Sequence, residues 1–219
     1  MPYVKGLVRD CEEIGIFARV YDYDENINFV DYIKLVYTAE KACDYIILQT
    51  PLPLSVDIED LREYIDPMKD IDNVSGRATH TPNTPAGIIK YLNYCGFNYE
   101  GANAVVLGRS ETVGKPMAKM LLDKNCTVTI CHSKTKHLHW HLDGADLIVC
   151  AVGKPKFLNC YSINDAIVID VGINLVEDDE GRAHVVGDTF NTEGKSNITP
   201  VPGGVGLLTR CALLAQVIA

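Results

Sequence analysis

The sequence predicts a two-lobed α/β protein, and three observations carry that expectation. Residues 104–135 read as strand, glycine-bounded loop, helix and strand, which is one βαβ unit. Short apolar runs alternate with helical patterns through most of the remaining chain, as in a parallel sheet covered by helices. An apolar run before Gln49 is followed at once by the proline-spaced Pro51-Leu52-Pro53, an extended turn at a strand's carboxyl end, where ligands sit in open α/β sheets. A chain of 219 residues is long enough for one large domain or two small ones.

The βαβ unit is AVVLGRSETVGKPMAKMLLDKNCTVTICHSKT. Residues 104–107 suit a buried parallel strand, and Gly108 ends it where a tight turn and a close backbone approach are needed. The helix is expected to start near Val113-Gly114, with Pro116 in its first turn, where the missing amide costs nothing. Asp123-Lys124-Asn125 ends it, and residues 126–131 alternate as the second strand. Amides of the loop and helix start converge on one point, which favours a phosphate. Serine stands where the second glycine of G-x-G-x-x-G would be, and Gly114 lies six residues after Gly108. By pattern alone the loop fits a nucleotide site and equally a turn that holds nothing.

Before this unit, residues 3–13 have helical spacing, with Tyr3, Leu7 and Cys11 on one face and Gly15 as the stop. Residues 16–23 alternate like a strand, 29–42 form an amphipathic helix, and 45–48 read as a buried strand. A helix over 58–65 precedes a polar loop, 66–77, that contains Lys69, Asp70 and Asp72. Thr84-Pro85-Ala86-Gly87 opens a helix to Cys95 that links the lobes. After the unit, 146–152 and 166–171 read as strands ending in turns at Gly153 and Gly172, where a cofactor could lie against the backbone. Residues 199–206 form a rigid proline- and glycine-rich loop before a short terminal helix.

Composition narrows the function classes. The net charge of −9, with no basic cluster, disfavours nucleic acid as a partner. No apolar run reaches membrane-spanning length, and the N-terminus has neither a signal core nor an Arg/Ser-rich transit character, so a cytoplasmic location is expected. The eight cysteines are scattered without a C-x-x-C pair. Cys43, Cys95, Cys126, Cys131, Cys150 and Cys160 sit in apolar segments and read as reduced core thiols, with disulfides or zinc as the minority reading. His137, His139 and His141 invite a zinc reading, but no third ligand stands at a sensible spacing, so no metal is expected. The acidic run Glu177-Asp178-Asp179-Glu180 before Gly181 reads as a solvated hairpin turn.

Residue identity goes further than spacing. VVLGRSETVGKPMA followed by TVTICHSKT closely resembles the cofactor loop and next strand of the bifunctional methylenetetrahydrofolate dehydrogenase/cyclohydrolase family. QTPLPLSVD, PMKDID, IVIDVGIN and ITPVPGGVG fit the same family in the same order, so the resemblance covers essentially the whole chain. It implies a folate-side α/β lobe over residues 1–85 and a Rossmann-type NAD(P)-binding lobe over 86–199, facing each other across a cleft. Residues 200–219 would return to the first lobe. Against the family, the chain lacks the N-terminal helix and first strand, so the folate-side lobe is expected to be truncated.

The resemblance also implies roles. Tyr3 matches a tyrosine that covers the folate, Gln49 a glutamine that bonds the family's lysine, and Asp72 an aspartate that bonds the pterin; Pro202, Gly203 and Gly204 fall on the substrate side. The lysine itself is replaced by Leu7, and Lys5 and Arg9 lie about 200° round the helix from it. Hydration of the methenyl carbon, the cyclohydrolase step, is therefore expected to suffer more than hydride transfer. Asn83 stands where the family has the cysteine of P-C-T-P, and Leu207-Leu208 replaces proline-methionine. Gly108, Arg109, Ser110, Val113, Gly114, Ser133, Gly153, Gly172, Ile173 and Thr199 fall at the cofactor. Arg109 and Ser133 match residues that reach a ribose 2′-phosphate, which points to NADP; the bland alternative pairs Arg109 with Glu111 or Asp123. NAD stays open, since neither an acidic residue for the 2′-hydroxyl nor a second arginine is present. Asp188 matches a loop residue that reads as structural. The implied partners are a reduced folate and a second copy of the chain. The rival readings are a catalytically weak or inactive nucleotide-binding homologue and a dehydrogenase of a different small substrate.

Overall fold

The computed structural model describes residues 2–49, 51–160, 163, 165–178, 180–193, 195 and 197–219. The chain divides into two compact units, Met1–Asn83 with Leu213–Ala219, and Thr84–Ala212. Residues 200–212 thus belong with the second unit and only the last seven with the first.

In the first unit, α1 (Pro2–Glu13) ends near Gly15, whose φ of 78° is the left-handed value a helix stop requires. α2 (Phe29–Ala42) starts at Asn28, whose side chain accepts from the Asp31 amide at 3.0 Å. Its apolar face, Tyr32, Ile33 and Val36, packs on Ile46, Val56, Leu61, Ile65 and Val74. α3 (Ile58–Leu61), capped by Asp57, tightens into a 3₁₀ turn at Arg62–Tyr64. A second cluster joins Leu7 and Cys11 of α1 to Ile71 and Leu213.

Two expected strands do not form here. Residues 16–23 form no helix and carry no ladder, and 45–48 make only the single bridge between Ile46 and Asp70, where Ile46 N–H donates to the Lys69 carbonyl at 2.8 Å. Alternation gives a chain two faces; it makes a strand only where a neighbour supplies backbone partners. Here both segments instead line a cavity of about 800 Å³, with Leu7, Gln49, Ile71 and Leu213 among its walls.

The second unit is a four-stranded parallel sheet of order β2-β1-β3-β5, in which β1 is Asn103–Leu107, β2 Thr127–Cys131, β3 Leu147–Cys150 and β5 Ile167–Asp170. Both faces of β1, β3 and β5 are covered, which is why these strands read as unbroken apolar runs, whereas the edge strand β2 alternates. Ala104, Val106, Leu147, Val149 and Ile169 pack against Ile88 and Leu92 of α4 (Asn83–Tyr94) and Met117 and Leu121 of α5 (Gly114–Leu122). The alternate residues Val105, Leu107, Ile148, Cys150 and Val168 meet Leu138 and Leu142 of α6 (Leu138–Leu142) on the other face. β4 (Leu158–Asn159) pairs in parallel with β8 (Thr189–Phe190).

β6 (Asn174–Glu177) and β7 (Ala183–Val186) form an antiparallel hairpin. Asp178 organises its turn, accepting from the Glu180 and Arg182 amides and from Arg182 Nε, and these donors hold its carboxyl below the usual range. Asp179 lies outside the described residues. α7 (Val205–Val217) is 13 residues long, longer than the short terminal helix expected, and its start packs so tightly on α4 that a Cβ on Gly87 would lie 2.5 Å from the Leu208 carbonyl oxygen. All eight cysteines are free; Cys126, Cys131, Cys150 and Cys160 are core thiols as expected, whereas Cys95 is exposed and Cys43 half-buried. Cys95 follows the end of α4, where the apolar pattern outlasts the packing.

Adjacent leucines test this packing. Leu121 is fully buried and Leu122 is 61% exposed. Leu121→Ala is expected to cost about 2–5 kcal/mol of unfolding free energy in a urea titration, and Leu122→Ala less than about 0.5 kcal/mol.

Candidate active site

A cavity of about 430 Å³ opens at the carboxyl ends of β1, β2 and β3. It is lined by Leu107, Gly108, Arg109 and Ser110 after β1, by Cys131, His132, Ser133 and Thr135 after β2, by Leu138, and by Ala151, Val152, Lys154 and Phe157 after β3. Strand order reverses direction at β1, with β2 on one side and β3 on the other, and this switch point is where open α/β sheets hold ligands.

Glycine is required at two positions of the loop by close approach. Gly108 has φ 115°, and a Cβ there would stand 2.2 Å from the Ala151 carbonyl oxygen. A Cβ on Gly114 would stand 2.4 Å from the Gly108 carbonyl oxygen, so the start of α5 rests directly on the loop. Ser110 accepts through Oγ from the Val113 and Gly114 amides at 3.3 Å each. Those two amides, expected to face a phosphate, are therefore already capped. The amides of Arg109, Ser110 and Thr112 have no acceptor among the described residues.

Arg109 also lacks a partner among the described residues. The acids that could have claimed it are taken: Glu111 pairs with Lys115, and Asp123 with Lys119 at 2.6 Å. Across the cavity, the His132 amide donates to Thr135 Oγ1 and the Lys134 amide to His132 Nδ1, a turn that leaves Ser133 exposed at the rim. His137, in the left-handed region at φ 52°, stacks on Trp140 at 4.1 Å.

The third wall is held from beneath. Asp188, fully buried, accepts through its carboxylate from the amides of Val152 (2.7 Å), Gly153 (2.9 Å) and Lys154 (2.9 Å) and from Asn174 Nδ2 (2.9 Å). Asp170, 1% exposed, accepts from the amides of Gly172, Asp188 and Thr189 and from Thr189 Oγ1. Thr199 Oγ1 accepts from the Asp170 amide at 2.8 Å. Gly153, Gly172 and Thr199, expected to contact a cofactor, thus direct these groups inward, and of the three none lines the cavity. Ile173 is 64% exposed and lies outside the cavity as well. Burial pushes the Cys150 thiol well above its ordinary range, and the nearby Asp188 and Asp170 push it the same way, so this cysteine stays a core thiol. Lys154, Phe157, His132 and Leu138 were missed as wall residues, and Asp170 as a hub. An acid closing the apolar run Ile167-Val168-Ile169 was the available signal.

In the first unit, Tyr3 packs against the cluster of Leu7, Cys11, Ile71 and Leu213. Leu7 is 8% exposed there, a packed apolar residue. Gln49 and Leu7 share the wall of the larger cavity; Tyr3 and Asp72 are not among its lining residues. Asp72 accepts through Oδ1 from both the amide (3.0 Å) and Nδ2 (2.8 Å) of Asn83. Asn83 is fully buried; its Nδ2 also reaches the Ile71 carbonyl, and its Oδ1 accepts from Gln216 Nε2 at 2.6 Å. Burial raises the Asp72 carboxyl and nearby Asp70 adds to this, against the two Asn83 bonds that lower it. Separately, in the second unit, residues 200–204 form a tight turn: Val201-Pro202 is cis, Gly203 has φ 96°, and a Cβ on Gly204 would meet the Pro200 oxygen at 2.3 Å.

A doubly wound parallel sheet with a glycine-bounded loop, a capped helix start and an unpaired arginine at its switch point defines a dinucleotide-binding α/β protein. Residues 82–219 match the family described as tetrahydrofolate dehydrogenase/cyclohydrolase, NAD(P)-binding domain, and residues 1–72 match its catalytic domain. The chain belongs to this family. The bifunctional protein FolD of Campylobacter concisus is 42% identical over 231 residues, covering 99% of this chain and 80% of that one. Among solved structures, the FolD methylenetetrahydrofolate dehydrogenase/cyclohydrolase of Campylobacter jejuni is 37% identical with a TM-score of 0.86, covering 99% and 81%. The Trypanosoma brucei enzyme, solved with NADP cofactor and an inhibitor, is 30% identical with a TM-score of 0.89, covering 99% and 80%.

The raised Asp72 carboxyl yields a pH prediction. With its folded pKa above the unfolded value, ionising Asp72 costs stability, so its contribution falls as pH rises through the window between the two. Asp72→Asn keeps an oxygen for both Asn83 donors and removes the charge. The variant is expected to be more stable than the parent at pH 7 in thermal melts, with the gap closing as pH falls into the ordinary carboxylate range.

Proposed function

We infer that the chain is a 5,10-methylenetetrahydrofolate dehydrogenase that passes a hydride to NADP, with NAD as a poorer acceptor, and that it has lost the cyclohydrolase step. The observation that carries this reading is Arg109: an arginine in the wall of the switch-point cavity that Ser133 also lines, with its neighbouring acids already paired. Its planar fork suits a ribose 2′-phosphate. The dinucleotide, when bound, supplies the hydride acceptor. Gly108 and Gly114 let the backbone approach it, and the unclaimed amides of Arg109, Ser110 and Thr112 receive its phosphates.

On the substrate side, Asp72 accepts from pterin N–H groups, Tyr3 covers the ring and Gln49 orients it. Hydride transfer from the methylene carbon needs orientation more than proton transfer, so it survives with Leu7 in place of a lysine. Hydration of the methenyl product needs a proton carrier, and Leu7 offers none. The chain works as a homodimer; its eight free thiols suit the reducing cytoplasm.

The test is an assay with methylenetetrahydrofolate and each dinucleotide, following reduced nicotinamide separately from methenyltetrahydrofolate. Reduced cofactor with methenyl product accumulating is expected; binding of a dinucleotide without its reduction would leave an inactive nucleotide-binding homologue instead. Arg109→Ala is expected to raise the KM for NADP by about 10- to 100-fold, the loss of a charge-assisted contact, with little change for NAD. Leu7→Lys is expected to gain methenyl hydrolysis; no gain would locate the defect elsewhere in the pocket.

A further inference from the structure

We propose that Asp188 is a positioning residue for the dinucleotide cavity: it shapes the third wall by filling a three-amide nest and holding the chain that follows. The inference rests on the reading of that cavity as a dinucleotide site. Three consecutive amides, those of Val152, Gly153 and Lys154, converge on the Asp188 carboxylate, with Gly153 in the left-handed conformation at φ 65° between them. Such a nest of successive N–H groups binds anions. Here the anion is a side chain of the protein, so these amides are not available to a phosphate. The Asp188 carbonyl in turn accepts from the amides of Phe157 (2.7 Å) and Leu158 (3.0 Å). One residue therefore holds both ends of the segment that sends Val152, Lys154 and Phe157 into the cavity wall.

Asp188 is itself fixed from the sheet, since its amide donates to Asp170 Oδ1 at 3.0 Å. The hub leaves no space for other chemistry: a Cβ on Gly172 would lie 2.3 Å from Asp188 Oδ1. Asn174 supplies a fourth donor to the same carboxylate from β6, away from the wall. That difference separates a positioning role from a merely structural one.

The experiment compares Asp188→Asn and Asn174→Ala in NADP and NAD titrations, steady-state kinetics, thermal melts and amide hydrogen exchange of the dinucleotide-free protein. Asp188→Asn turns one acceptor oxygen into a donor facing the nest. It is expected to weaken dinucleotide binding and raise its KM by about 10- to 100-fold, with kcat within about threefold, and to lose exchange protection on the side that meets the new amide, at Val152 and Gly153 or at Lys154. Asn174→Ala is expected to lower the melting temperature but leave dinucleotide affinity within about threefold. Unchanged affinity in Asp188→Asn, or affinity losses in both variants that merely follow their stability, would overturn the proposal. Should Asp188→Asn not fold, Gly153→Ala takes its place, because a Cβ there meets nothing within 4 Å and acts only on the nest's backbone. It is expected to weaken binding severalfold, and unchanged binding would count against the proposal. If the parent protein binds neither dinucleotide, the reading of the cavity fails and the proposal, as a claim about dinucleotide binding, falls with it. Exchange protection at Gly153 and Lys154 then shows separately whether Asp188 holds the nest.

Discussion

Two carboxylates buried at the ends of strands can persist only if donors replace the water they have lost. Asp170 and Asp188 meet that demand almost entirely with backbone amides. The consequence runs outward through the second unit. Because the acids need amides at fixed directions, the chain after β3, after β5 and after β7 must come to them. Because those approaches are close, side chains are excluded: a Cβ on Gly187 would lie 2.0 Å from Asp170 Oδ2, and one on Gly172 2.3 Å from Asp188 Oδ1. The motif segments Asp170-Val171-Gly172 and Gly187-Asp188 are two halves of one device, an acid and the glycine that lets the other acid's loop reach it.

The glycine loop after β1 works by a different constraint, backbone against backbone. Gly108 lies under the Ala151 carbonyl, and Gly114 lies on the Gly108 carbonyl, so β1, β3 and α5 are locked at the point where the cavity opens. Ser110 completes the helix start, which leaves the earlier amides of the loop and the Arg109 guanidinium as the donors facing solvent. The wall after β3 already contains its own anion. On the proposed reading, an incoming phosphate meets the loop after β1, because the amides after β3 are already taken by Asp188.

Much of this was legible in the sequence where the signal was local. Unbroken apolar runs bounded by glycine marked β1, β3 and β5 because both faces of each strand are covered. α2 was legible residue for residue since its cap and its amphipathic face agree. Residues 16–23 show the limit: their alternation is real, but a ladder needs a neighbour, and pattern says nothing about one. The candidate site divides in the same way. Arg109, Ser110 and Ser133 were legible from residue identity and do line the cavity. Gly153 and Gly172 read as contacts too, but their amides donate to Asp188 and Asp170, and Thr199 Oγ1 accepts from the Asp170 amide. Long-range hydrogen bonds such as Asp188 to Val152 have no periodicity to betray them.

In the first unit, a comparable logic governs the carboxylate proposed to meet the substrate. Asp72 is desolvated enough to raise its pKa, and Asn83, itself fully buried, supplies two donors to one of its oxygens. Gln216 holds the far side of the Asn83 amide and so fixes which way it faces. One Asp72 oxygen is then committed, and on the proposed reading the other accepts from a ligand N–H. Leu7 meanwhile packs with Cys11, Ile71 and Leu213, adding apolar surface next to the residue that precedes Asp72. An acceptor fixed in place beside an apolar wall can orient a flat, donor-rich ring, and Leu7 adds no proton carrier to it. On the proposed reading, that is the division between a hydride transfer, which asks for orientation, and a hydration, which asks for a proton carrier.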